Sequence, residues 1–243
     1  MFILGAVGVG FVAILTIATF YKTPSCSDGK QNQGELGIDC GGPCPYLCTT
    51  QVYPPTVLFT KAIPNGAGRV DIAASVENVN AAAAAKDVPY TVTLYGADQV
   101  LVQQVTGTVD LPPSSTVPVF IPGIASGNQQ AVHAFLTIDP AAPRWFTLTS
   151  DPRVQPVVSN TTLSGSDESP RIDATLSNAS VTALANVPMV VFVHNAQGDV
   201  IAASQTVVPL IPPQGQATAT FTWNGAFSSV PAAIEVIPVI PLP

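Results

Sequence analysis

Charge is what this chain has least of. Asp, Glu, Lys and Arg make up 9% of its 243 residues, against about 25% in an average soluble domain. The eight Lys and Arg are scattered rather than clustered, and the net charge is -7. Such a chain repels phosphates, which excludes nucleic acid as a partner. Histidine is almost missing too. His133 and His194 are the two present, and neither has a second ligand or a catalytic partner near it in sequence. GxSxG, HExxH, P-loop and GxGxxG motifs are all lacking, and no cysteine occurs after Cys48 to serve as a nucleophile in the long remainder of the chain. Enzyme chemistry therefore has no visible carrier, and the expectation is a protein that is not an enzyme and has no cofactor. Uninterrupted helical stretches are scarce as well, since 24 prolines and 18 glycines punctuate the sequence and favour short strands joined by turns.

One long apolar run is present. Met1 to Phe20 carries no charge and, at about 1.5 Å per residue, is long enough to cross a hydrocarbon core of about 30 Å. It lacks the basic flank and small-residue cleavage site of a secretory signal, so residues 1–22 are expected to be a retained transmembrane helix with Tyr21 and Lys22 as its interfacial anchor. Lys22 alone would put the following chain in the cytoplasm by the positive-inside rule. The cysteines argue the other way and are given precedence.

All four cysteines lie between residues 26 and 48, spaced C-x13-C-x3-C-x3-C as Cys26, Cys40, Cys44 and Cys48. An even number confined beside an apolar span suits a disulfide framework in an oxidising compartment, with three possible pairings. Structural zinc prefers C-x2-C knuckles and does not fit. Asp28, Asn32, Glu35 and Asp39 alternate with Gly29, Gly34 and Gly37 in the same stretch. These are oxygen donors and turn residues of the kind that bind calcium, but counted as an EF-hand the positions fail, since Gln33 stands where glycine is needed. Calcium ligation by these four residues and plain turn formation both stay open, the second being favoured.

The pattern C-x-D-G-x-x-N-x-x-E-x-G-x-D-C-G-G-x-C, matched here from Cys26 to Cys44, resembles a motif of bacterial surface and secreted proteins. The resemblance implies an extracytoplasmic location and no particular reaction.

Beyond Thr50 the chain repeats itself at an offset of about 100 residues. Ile72, Ala74, Val76 and Asn78 return as Ile172, Ala174, Leu176 and Asn178. Val88-Pro89 returns as Val187-Pro188, and Leu111-Pro112-Pro113 as Ile211-Pro212-Pro213. Within each copy the apolar period is that of strands, clearest where Ala217, Ala219, Phe221 and Trp223 alternate with threonines. Strands are expected at 69–78, 88–95, 100–109, 131–138, 154–162, 187–194 and 232–239, whereas the alanines at 81–85 are read as a loop. The pattern resembles bacterial immunoglobulin-like modules of the fibronectin type III and CARDB-like kind, without the paired cysteines of antibody domains. The expected fold class is all-β: two tandem immunoglobulin-like β-sandwiches behind one transmembrane helix and a small disulfide-rich linker. The expected boundaries are 1–22, 23–50, 51–147 and 148–243.

Remaining polar features read as structural. Asn78 and Asn178 are expected to cap turns through their side-chain amides, Asp167 and Glu168 to lie in a solvated turn, and Trp145 with Phe146 to pack one module on the next. Asn160-Thr-Thr and Asn178-Ala-Ser are glycan sequons only in a host that glycosylates. The functional expectation is a cell-membrane, extracytoplasmic structural or adhesion protein whose partner, besides the membrane, is unknown. The alternative is a subunit of a pilin-like filament assembled through the N-terminal helix, although Leu15 falls where pilins carry an acidic residue.

Overall fold

The computed structural model describes residues 24–66, 68–125 and 131–243. The expected helix over 1–22 lies outside them, and among the described residues no helix is long and apolar enough to cross a membrane. The chain divides into two compact units, the first ending at Cys48 and the second running from Thr49 to Pro243.

The described part of the first unit is built from turns. Disulfides join Cys26 to Cys44 and Cys40 to Cys48, and a single bridge pairs Gly37 with Cys40. With so few apolar side chains, covalent closure replaces a core. Two glycines are required by close approach. A Cβ on Gly37 would sit 2.8 Å from Cys40 Sγ and 2.9 Å from Cys48 Sγ, and one on Gly42, at φ +60°, would collide with the Gly34 carbonyl oxygen.

The second unit is all antiparallel β. In chain order its strands are β1 Thr56–Pro64, β2 Arg69–Asn78, β3 Ala83–Gly96, β4 Leu101–Leu111, β5 Ser115–Ala125, β6 Ala131–Thr137 and β7 Trp145–Thr147. They continue as β8 Val157–Ser166, β9 Ser169–Ser177, β10 Leu184–His194, β11 Val200–Ile211, β12 Gln216–Thr222 and β13 Ala233–Pro238. Four sheets result, ordered β4-β3-β6 with β7 also on β3, β1-β2-β5, β11-β10-β13 and β12-β9-β8. Raising each strand number of the first two sheets by seven, β7 apart, reproduces the other two.

Two apolar layers surround the sheet β11-β10-β13. Val187, Met189, Val191 and Val193 of β10 point one way, into a core with Ile172 and Leu176 of β9 and Phe221 of β12. Val190 and Phe192 point the other way and meet Ala73 of β2, with Phe59, Ile63 and Phe120 packed around them. Phe59 and Phe192 contact edge to face, with ring centroids 5.4 Å apart. The opposite face of β2 carries Ile72, Ala74 and Val76, all without solvent exposure, as are Val92 and Leu94 of β3. The sheets therefore stack in four layers, β4-β3-β6, β1-β2-β5, β11-β10-β13 and β12-β9-β8. The central strands of the two middle sheets, β2 and β10, are buried on both faces. Burial along these two strands is accordingly near-continuous rather than alternating, and in β2 it takes in the polar Asp71 and Ser75 as well.

One expectation needs correcting. Ala83, Ala84 and Ala85 are not loop but the first residues of β3, all three paired with β7 and Ala85 also with Leu111 of β4. They are almost fully buried, so tertiary pairing and burial override the helical preference of alanine. Strands β1, β5 and β7 were not expected from sequence.

Candidate functional site

The stapled segment gathers Asp28, Asn32, Glu35 and Asp39 within hydrogen-bonding reach of one another. Its four acidic and amide residues are drawn together as turn caps. Asp39 accepts backbone N–H bonds from Asp28 at 3.0 Å and Gly29 at 3.0 Å. Asp28 accepts from Lys30 N at 2.9 Å and from Asn32 Nδ2 at 2.9 Å. Glu35, only 6% exposed, accepts from Asn32 N at 3.2 Å and Asp39 N at 3.3 Å. The Asn32 amide holds the Asp28 carboxyl below the usual carboxylate range, aided by the Lys30 and Ser25 N–H groups and the Lys30 charge. Asn32 Oδ1 is enclosed without a protein donor. Cys26, Glu35 and Cys44 also approach one another closely, but the two sulfurs are bonded together and supply no thiolate. The arrangement satisfies its own loop N–H groups.

Asn78 and Asn178 do more than cap a turn. Asn78 Nδ2 donates to the carbonyls of Ala83 at 2.9 Å, Leu111 at 3.3 Å and Pro112 at 2.7 Å, while its Oδ1 accepts from Asn80 N at 3.0 Å. Asn178 Nδ2 donates to Thr182 O at 2.8 Å, Ile211 O at 3.4 Å and Pro212 O at 3.1 Å, and Oδ1 accepts from Ser180 N at 2.9 Å. Each amide thus ties the end of one strand, in one sheet, to the end of another in the facing sheet. Exposure is 1% and 2%, so these are buried knots with every polar atom engaged.

The other singled-out residues are separated from one another. His133 is exposed on β6. His194 lies 3.6 Å from Glu235 and its Nδ1 contacts the Gly198 carbonyl at 3.2 Å, with no nucleophile beside it. Asp167 and Glu168 form the exposed β8–β9 turn. Trp145 is buried at 2% exposure on the β7 strip that pairs with β3, so it belongs to the first copy's own sheet, whereas packing of one module on the next was expected.

Sequence reading missed a cleft of about 500 Å³ whose polar lining includes Asp87, Tyr90, Asp110, Arg153, Gln155 and Gln205. Its residues are far apart in the chain, so no local signal marks it. Most of its charge is already committed. Asp110 accepts from Asp87 N at 2.8 Å and Leu242 N at 2.7 Å. Arg153 pairs with Asp151 at 2.6 Å and donates to the Ile240 carbonyl. The Arg153 guanidinium is the main reason the Asp151 carboxyl lies below its ordinary range. Burial pushes the Tyr90 hydroxyl up. These bonds strap the C-terminal residues onto the body, and none presents a nucleophile to a base.

No family model matches this chain, and no curated protein matches it. Among solved structures, the transglutaminase of red sea bream is similar over 77% of this chain and 29% of its own, at 12% identity and a TM-score of 0.29.

Proposed function

We propose that this chain is a membrane-anchored, extracytoplasmic structural or adhesion protein. In this reading residues 1–22 are the anchor, 23–50 a stapled linker, and 51–147 and 148–243 two immunoglobulin-like sandwiches that present binding faces away from the membrane. The observation that carries it is that all four cysteines are spent on two disulfides in the segment next to the apolar run. Cytosolic thiol buffers keep such bonds reduced, whereas extracytoplasmic compartments preserve them. The resemblance of the Cys26–Cys44 motif to bacterial surface proteins supports the same location. The fully engaged carboxylates and the lack of a nucleophile–base pair among the described residues favour presentation over chemistry.

Protease added to intact cells should remove the β-rich body and leave an N-terminal stub in the membrane fraction. Complete protection in cells whose outer layer has been opened would overturn the proposal. Recovery of the chain as the repeating subunit of sheared fibres would replace it with a filament role.

A further inference from the structure

The sequence holds two N-x-S/T sequons, at Asn160 and Asn178, and the fold treats them in opposite ways. Asn178 is 2% exposed, and its amide nitrogen donates to three backbone carbonyls. A glycan there would require the knot to be undone. Asn160 is exposed, at φ +48°, in a bulge of β8 where the register with β9 breaks between Ser159 and Thr162. Its carboxamide bonds to none of the described residues, and the hydroxyl-bearing Thr162 two residues on is exposed as well.

The strand that carries Asn160 has a second distinguishing property. β8 lies at the edge of its sheet, and Val157 and Leu163 on it are 62% and 45% exposed. Edge strands need protection against pairing with other chains, commonly a lysine or a proline. The corresponding strand β1 has Lys61 and Pro64 besides its own bulge, whereas β8, VVSNTTLSGS, has neither residue and no charge at all, and only the bulge at Asn160 interrupts it. A bulky hydrophilic substituent at Asn160 would supply that protection at the middle of the edge.

We propose that Asn160 is an N-glycosylation site and that its oligosaccharide shields the β8 edge. The co-reactant is a lipid-linked oligosaccharide. Asn160 Nδ2 bonds to C1 of the first sugar, the bond from C1 to the lipid phosphate breaks, the displaced phosphate leaves with the lipid, and the amide proton passes to a base of the transferase. No oxidation or reduction is involved. This inference rests on the extracytoplasmic reading above, because the transfer takes place on that side of a membrane.

The test is peptide mass spectrometry of the full chain recovered from membranes of its own host, alongside protease shaving of the same cells. The Asn160 peptide should bear the mass of an oligosaccharide and the Asn178 peptide none. Asn160→Gln and Thr162→Ala should each remove the added mass completely, and Thr162→Ser should retain it. An unmodified Asn160 peptide overturns the site. If shaving shows that chain to be exposed, the site alone is lost; if it is protected, the extracytoplasmic reading is lost too.

Discussion

At the scale of single residues, the paired asparagines are the most demanding positions. Asn78→Asp keeps the size but removes the two N–H donors that serve three buried carbonyls. Each buried group left unpaired costs about 1–3 kcal/mol. The variant should lower unfolding stability by more than about 2 kcal/mol in denaturant titration, with Asn178→Asp similar. A value near zero for either would mean that the knot is not needed. The carboxylates act on a different axis. Asp28, Asp151 and Asp173 all have depressed folded-state pKa values, through the Asn32 amide, Arg153 and Arg171 respectively. Depressed groups contribute stability that is present above the unfolded carboxylate value of about 3.9 and lost as pH falls through the folded value. Melting temperature should therefore be flat from neutral pH to about pH 4–5 and decline below. Because Arg171–Asp173 is solvent-accessible, Asp173→Asn should blunt that decline only slightly.

At the scale of elements, the disulfide segment and β3 show how close packing limits substitution. Gly37→Ala would drive a methyl group into both sulfurs of the Cys40–Cys48 bond. Thiol labelling of the purified variant should find these two cysteines reactive, and a fully oxidised variant with the same pairing would contradict this account. In β3, three consecutive alanines pair with β7, Ala85 with β4 as well, and all three are almost fully buried, an arrangement that larger residues would obstruct.

At the scale of the whole β-rich unit, the contact between the two halves is specific to the faces that meet. Ala73 and its partner Phe120 lie in it, and the matching register in the second half holds Asp173 and Thr220. Phe59, opposite Ser75, is replaced by Ser159 opposite Thr175. On the other side, Phe192 opposite Ala203 corresponds to Thr93 opposite Gln104 in the first half. At these positions apolar residues occupy the covered faces and polar residues the free ones, which disfavours repetition of a heterologous contact into an open chain; on the neighbouring strands the pattern reverses, with exposed Phe135 opposite Thr93 and Glu235 opposite Phe192. Phe192→Ala should cost about 3–5 kcal/mol. Residues 49–147 and 148–243 expressed separately should each expose that face and associate when mixed; two fragments that stay monomeric together in analytical ultracentrifugation would contradict a tight internal interface.

How much of this was legible in the sequence depended on range. Local chemistry marked the disulfide segment, because four cysteines are confined to residues 26–48 with none elsewhere in the chain, and strand periodicity pointed to the all-β class because alternation is a property of neighbours. The repeat was readable from matched landmarks such as Val88-Pro89 and Val187-Pro188. The candidate ligands Asp28, Asn32, Glu35 and Asp39 lie in one stretch, but sequence could not say that loop N–H groups and the Asn32 amide bond to the three carboxylates. Only tertiary structure selected Cys26–Cys44 with Cys40–Cys48 among three pairings, turned alanines 83–85 into strand, and stacked the four sheets. Those outcomes rest on contacts between residues far apart in the chain, where burial on a second face, and not local preference, decides which conformation has the lower free energy.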